Sequence, residues 1–181
     1  MTVGRYVKKR QGLTMVELVI TLAIIALLAT FTVPSLGRWL SHYRIKSAAR
    51  DVASCFRLAQ MKAVQTNQNC TVRFDKRAGF PQTVTVMDGG GVSMRTVDLS
   101  RYKAQFDTGR GGGDGLDFVD QPADSLIDIT FNTRGIPSDE QGNPLTPLGG
   151  QDGQRVFLRN SRGEGYWVEV TPVGNVRYDR T

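Results

Sequence analysis

The sequence predicts an α+β fold in which one long N-terminal helix packs on an antiparallel β-sheet domain. Two observations indicate the helix: a nearly uncharged apolar run over residues 13–33 and a helical stripe of apolar residues over 45–63. A third observation indicates the sheet, because short alternating runs separated by Gly, Pro, Asn and Asp fill the rest of the chain. The length of 181 residues suits one such domain with an appendage.

The apolar run is long enough for a membrane-spanning helix, which needs roughly 20 apolar residues. Residues 13–33 contain a single charged residue, Glu17. Four basic residues precede the run, which favours a cytoplasmic N-terminus and an exported remainder. An ordinary secretory signal would have a shorter apolar core followed by a small-x-small cleavage site, and no good site of that kind follows here.

The net charge of +6 is concentrated at the start of the chain. Residues 1–12 carry Arg5, Lys8, Lys9 and Arg10 and no acid, and the remainder holds 19 basic and 17 acidic residues. The basic character therefore describes the first twelve residues and is not a nucleic-acid-binding signature of the whole protein.

The apolar stripe predicts that the second half of the helix packs one face on the sheet. Its members recur every three or four positions: Ile45, Ala49, Val52, Phe56, Ala59 and Ala63. The polar cluster 67–69 should end the helix. Pro34 lacks an N–H and should kink or loosen the helix between its two halves.

Six short segments predict strands, since each alternates and is bounded by turn residues. They are 71–74, 83–86, 127–131, 155–158, 166–170 and 176–178. Without a second long helix for a crossover, we expect antiparallel hairpins. The segments 107–125 and 133–154 are rich in Gly, Asp and Pro and are interpreted as surface loops.

Residues 8–18 resemble the prepilin peptidase site of type IV pilins and type II secretion pseudopilins. That family has a basic leader ending in glycine, then a hydrophobic residue, Thr, and Glu at the fifth mature position. The resemblance implies cleavage between Gly12 and Leu13, N-methylation of Leu13, and a salt bridge from Glu17 to a neighbouring subunit's N-terminal amine. Pro34 falls at the twenty-second mature position, where the family often has proline and a bend.

This resemblance divides the chain into four parts and places them. The parts are a cleaved leader (1–12), a transmembrane helix (13–34), an amphipathic helix (35–66) and a β-rich pseudopilin domain (67–181). The implied location is the bacterial inner membrane, crossed once, with the globular domain in the periplasm and in the assembled filament. The implied partners are other pilins or pseudopilins, prepilin peptidase and the membrane itself.

Three further segments are similar to the GspH/FimT group of minor pilins and pseudopilins: 57–63, 129–135 and 170–177. The resemblance implies the type IV pilin fold and the role of a minor pseudopilin in type II secretion. The alternative is a FimT-like minor pilin of a type IV pilus used for DNA uptake. A third hypothesis is an anchored periplasmic domain unrelated to filaments.

DNA binding would depend on the C-terminal arginines. DNA-binding members of the FimT kind use a Gly-Arg-x-Arg element, but here Asn175 stands in place of the first arginine, which leaves Arg177. Arg180 follows, offset by Asp179. Each missing arginine removes a phosphate contact and its counterion release, so an ordinary charged terminal strand is the competing interpretation.

The two cysteines leave two alternatives open. Cys55 and Cys70 could pair in an oxidising periplasm, or remain two separate thiols. With His42 as the only histidine, they offer too few ligands for a metal site and no nucleophile–base–orienter arrangement, so we expect neither an enzyme nor a cofactor.

The acidic glycine-rich stretch 107–120 has two interpretations. Its four acids could supply oxygen ligands to calcium, although the regular EF-hand spacing is absent. The alternative is a mobile acidic loop. A phosphate-binding loop is excluded, because no Gly-Lys-Ser/Thr follows the glycines.

Overall fold

The computed structural model describes residues 14–77, 80–110, 116, 126–138 and 153–181, apart from the side chains of 31–35 and 38. The chain divides into two compact units, Met1–Trp39 and Leu40–Thr181. Helix α1 runs over Met15–Thr66 and is assigned as one helix through position 34. The side chain of Pro34 lies outside the described residues, so the kink stays a prediction.

The second half of α1 buries the predicted stripe. All six residues of the stripe are fully buried, which confirms the periodicity argument, and Ala48, Ala53 and Cys55 widen the buried face. Five of these nine positions are alanines, whose small side chains let the backbones of neighbouring strands come close to the helix. The helix ends at Thr66, and Asn67 follows with a φ of 52°, a left-handed conformation that asparagine tolerates at a helix end.

The strands form two antiparallel sheets. The five-stranded sheet has the order β3-β2-β1-β5-β6 and the four-stranded sheet the order β4-β7-β8-β9. In chain order the strands are β1 Cys70–Asp75, β2 Thr83–Met87, β3 Ser93–Asp98, β4 Ala104–Phe106, β5 Leu126–Phe131, β6 Pro137–Ser138, β7 Gln154–Asn160, β8 Gly165–Val170 and β9 Val176–Arg180. A short 3-10 helix, Leu99–Tyr102, separates β3 from β4.

The α+β class and all six predicted strands are confirmed, and every pairing is antiparallel as expected. The division into two sheets differs from the single sheet that we predicted. Strands β3, β4 and β6 were missed, and β6 lies inside a segment interpreted as a loop. A period-2 pattern identifies a strand but not its partner, so the pattern could not assign strands to sheets.

Four hairpins of the described chain close with the same five-residue turn. In each turn the first and fifth residues share a backbone hydrogen bond, and the fourth is a glycine that donates to the first residue's carbonyl. A side-chain oxygen of the first residue accepts from the fifth residue's N–H in every case. The turns are 88–92, 132–136, 160–164 and 171–175, and their glycines have φ between 74° and 86°, a conformation that favours glycine.

The core joins the helix to both sheets through a chain of aromatic rings. The Phe56 ring on α1 lies 5.8 Å from the Phe74 ring on β1 and 6.3 Å from the Phe131 ring on β5. Phe74 in turn contacts Phe106 of the other sheet, with ring centroids 6.2 Å apart. All four are essentially fully buried, so the two sheets and α1 share one hydrophobic core.

Candidate functional site

A side chain caps the start of α1. The Thr14 hydroxyl oxygen accepts a hydrogen bond from the Glu17 backbone N–H at 3.2 Å, and the Thr14 carbonyl accepts from Leu18. Thr14 is therefore the N-cap and Glu17 the third helical residue, and the Thr14 hydroxyl accepts from one of the N–H groups that the first helical turn leaves unpaired. Glu17 is exposed in the first turn, where the helix dipole favours a carboxylate.

The other processing residues lie outside the described structure. Gly12 and Leu13 precede the first described residue, Thr14. Cleavage after Gly12, methylation of Leu13 and the intersubunit salt bridge of Glu17 stay predictions. The role of Glu17 is what the family resemblance implies, and the role of Thr14 as the cap was not predicted from the sequence.

The first half of α1 carries an apolar surface. Ten large apolar side chains between Met15 and Leu28 are each at least 51% exposed. Within the described residues, no helix combines the length and the apolar character required to cross a membrane. The transmembrane assignment of 13–34 stays a prediction.

The C-terminal arginines do not form one basic surface. Arg177 and Arg180 are three positions apart on β9, so strand alternation places them on opposite faces. The Arg177 guanidinium lies 3.0 Å from the buried carboxylate of Glu169, which also accepts a hydrogen bond from Arg155 at 3.1 Å. Arg155 stacks over Trp167, 4.8 Å from the ring centre. Arg177 is thus already paired within the chain.

A second candidate site lies where α1 meets the turns of both sheets. The Gln60 amide donates a hydrogen bond to the Gly135 carbonyl at 3.1 Å, and Arg57 donates to the Val176 carbonyl at 3.2 Å. Gly174 lies against the Gln60 amide so closely that a Cβ would collide with it. These contacts join α1 to the turn 132–136 of one sheet and to the turn 171–175 of the other.

Two open cavities flank this junction. One, of about 600 Å³, is lined by Arg57, Gln60, Thr171, Gly174, Asn175, Val176 and Arg177. The other, of about 530 Å³, is lined by Arg57, Gln60, Met61, Val64 and Gln65. We call the combined surface the Gln60 groove. The segments 129–135 and 170–177, which hold Gly135 and Gly174, were singled out in the sequence, but nothing there indicated that they meet at one glutamine.

The two cysteines are free thiols in the structure, and both are buried. Burial raises the pKa of Cys55 to about 11 and raises the pKa of Cys70 as well. Of the two alternatives left open, the structure therefore has separate thiols. Both remain protonated near neutral pH, which suits structural rather than reactive cysteines.

Most of the acidic stretch 107–120 lies outside the described residues, so calcium binding there stays untested. Asp107 itself is described and buried. Its carboxylate lies 3.7 Å from Arg110 and 3.6 Å from Arg159, so two cations already offset its charge. No cluster of three metal-ligating side chains occurs among the described parts of the chain.

Comparison with known protein families gives a match in the N-terminal part of the chain. Residues 7–33 match the family model described as the prokaryotic N-terminal methylation motif. The match covers the residues directly before α1 and most of the apolar first half of the helix.

One solved structure is similar in fold, the minor pseudopilin EpsH from the Type 2 Secretion System of Vibrio cholerae. The identity is 14% and the TM-score 0.46, and the alignment covers 76% of this chain and 97% of EpsH. No curated protein matches the sequence.

Proposed function

We propose that this protein is a minor pseudopilin, a structural subunit of a type II secretion pseudopilus that prepilin peptidase matures. The observation that carries the proposal is the N-terminal methylation motif over 7–33. The branch of the family rests on the sequence resemblance of 57–63, 129–135 and 170–177 to the GspH/FimT group. The location follows as the inner membrane, with the globular domain in the periplasm.

The chemistry of assembly starts with cleavage after Gly12. Cleavage gives Leu13 a free amine, which is then methylated and remains a cation. The Glu17 carboxylate is exposed in the first helical turn and pairs with this amine on a neighbouring subunit. In lipid the two charges attract strongly, since little water screens them, and an unpaired charge there is costly. The pair therefore aligns subunits as they leave the membrane for the filament.

The alternative, a FimT-like minor pilin that binds DNA, has weaker support. Arg177 is engaged by Glu169, Arg180 is on the other face of β9, and Asn175 occupies the position of the missing arginine. A strand with these contacts offers few free phosphate contacts. A role in secretion is the better explanation.

The first experiment is the intact mass and N-terminal sequence of the protein from membranes of hosts with and without prepilin peptidase. We expect a methylated chain starting at Leu13, seen only with the peptidase. Gly12→Val should block this maturation, whereas Gly4→Val, a matched change in the same leader, should not. A chain that starts at Met1 in both hosts, or is cut near residue 30, would contradict the proposal.

A second experiment distinguishes a subunit of a type II secretion pseudopilus from a subunit of a type IV pilus. Deleting the gene should abolish secretion of the proteins that the type II secretion system exports, and it should leave DNA uptake unchanged. Salt-sensitive DNA binding by the purified protein, lost in Arg177→Ala, would favour the type IV pilus instead.

A further inference from the structure

The Gln60 groove is a surface on which charge and apolar area meet. One part is polar and is lined by Arg57, Arg177 and Asn175, while the other is apolar and is lined by Met61 and Val64. The two parts share Arg57 and Gln60, so they form one continuous surface along the exposed edge of α1.

The polar part has an available cation. A guanidinium carries five N–H donors, and the Val176 carbonyl accepts from one nitrogen of Arg57. Within the described residues, Arg57 forms no ion pair with a carboxylate. Its charge is therefore free to attract an acid from outside the chain, whereas Arg177 already pairs with Glu169.

The apolar part exposes side chains whose burial against a partner would be energetically favourable. Met61 is 58% exposed and Val64 54% exposed, one helical turn apart on the same edge of α1. Val173 beside Gly174 is 71% exposed. Clustered exposed apolar side chains next to a charged rim are typical of protein interfaces.

The groove is already formed before anything binds. The hydrogen bond from Gln60 to Gly135 and the close approach of Gly174 hold both turns against the helix. A preformed surface needs little ordering on binding, and that lowers the entropic cost of the complex.

We propose that the Gln60 groove binds a segment of another pilin-like subunit that carries an acidic side chain beside an aliphatic one. The acid pairs with Arg57, and the aliphatic side chain covers Met61 and Val64. This assignment rests on the proposed function for the identity of the partner, and on charge and apolar complementarity for its chemistry.

A protein segment fits this groove better than a nucleic acid. Single-stranded nucleic acids are held by several phosphate contacts together with aromatic stacking. The residues that line the groove include no aromatic ring.

The test uses the full chain in detergent micelles and fluorescence anisotropy. The probes are overlapping 15-residue peptides from the globular domains of the other pilin-like subunits of the same bacterium, with a 15-nucleotide oligothymidine as the competing class. We expect binding only by peptides with an adjacent acidic and aliphatic residue. Replacing that acid by its amide should weaken binding at least tenfold.

Variants of the groove give the matched comparison. Arg57→Gln should weaken peptide binding at least tenfold, and Met61→Glu, which adds a repelling charge at an exposed position, at least as much. Arg101→Gln and Val92→Ser, which change an exposed arginine and an exposed valine elsewhere, should bind like the parent. Circular dichroism melts confirm that each variant is folded.

Three outcomes would overturn the assignment: no peptide binds, binding survives both groove substitutions, or oligothymidine binds in an Arg57-dependent manner. N-terminal sequencing of the same preparations separates this proposal from the previous one. Loss of processing with peptide binding intact removes the pseudopilin role and leaves the groove. Normal processing without peptide binding removes the groove alone.

Discussion

The side-chain amide of Gln60 donates a hydrogen bond to the carbonyl oxygen of Gly135, 75 residues further along the chain. The same amide lies against Gly174, so that one side chain of α1 contacts a turn from each sheet. Since the three residues come from different elements, the junction exists only when the helix and both sheets are assembled. Its contacts supply the first test.

Gly174→Ala should destabilise the protein more than alanine at a matched glycine. Gly163 has nearly the same φ, 83° against 86°, and closes the same kind of turn, but a Cβ there meets nothing within 4 Å. Gly163→Ala should cost about 1 kcal/mol from backbone strain. Gly174→Ala should cost roughly 2–4 kcal/mol, because the new methyl also displaces Gln60. Urea unfolding measures both, and equal losses would contradict the junction.

Arg155 and Arg177 should contribute unequally to stability although both pair with Glu169. Arg155 has a side chain only 27% exposed and stacks on Trp167, whereas Arg177 is 57% exposed. Arg155→Ala should lower the free energy of unfolding by about 3 kcal/mol, since it leaves a buried carboxylate poorly paired. Arg177→Ala should lower it by less than about 1 kcal/mol.

A double-mutant cycle with Glu169→Gln checks that both effects pass through this carboxylate. Arg101→Ala serves as the control for removing an exposed arginine. If Arg177→Ala proves the more costly change, the assignment of the buried partner to Arg155 is wrong.

Ionisation of the Cys55 thiol should lower the free energy of unfolding at high pH. The fold raises the pKa of this thiol from 9.0 to about 11 through burial, so the folded chain binds the proton more tightly than the unfolded chain. Its contribution is complete below pH 9 and is lost as the pH rises through 11, on the order of 2 kcal/mol in total.

The measurement is urea unfolding between pH 8 and 11.5, with Cys55→Ala as the comparison. The difference in the free energy of unfolding between parent and variant should shrink as the pH rises. Taking this difference removes the contribution of other groups that titrate in both proteins, such as Tyr102. A difference independent of pH would show that the thiol does not titrate as described. Under non-denaturing conditions near pH 7, iodoacetamide should leave both buried cysteines unmodified.

Thr14→Val should shift the start of α1 toward the C-terminus, because valine has the same shape but no oxygen to accept from the Glu17 N–H. The local cost is about 1 kcal/mol. Thr14→Ser, which keeps the hydroxyl, should restore the helix start. Carbon chemical shifts of residues 14–18 in detergent micelles report the change. Identical shifts in Thr14→Val and the parent would argue against a capping role.

The helix of this protein was predictable because its signals are local. The stripe from Ile45 to Ala63 follows directly from a 3.6-residue period, and every member is buried. The missed strands lack such a signal. In β3, Val97 is the only buried residue, so the strand shows no alternation. Strands β4 and β6 are three and two residues long, which is too short to show alternation.

The Gln60 groove could not be predicted from the pattern, since its residues come together only through long-range packing. The turns that frame it carry a partial signal. Each begins with Asp, Asn or Thr and places glycine three residues later, because a side-chain oxygen caps the turn and the fourth residue needs positive φ. That spacing, applied along the chain, would have located all four hairpin ends and thereby β3 and β6.

The order of the strands along the chain has a consequence for the order in which the two sheets can form. Strands β1 to β3 and then β5 and β6 belong to one sheet, but β4 lies between them and pairs with β7. A chain that folds in the order of its sequence can therefore complete the five-stranded sheet once Ser138 is available, while β4 waits for a partner that begins at Gln154. The second sheet closes only with the last strand, so the Gln60 groove forms at the final stage when folding proceeds in this order.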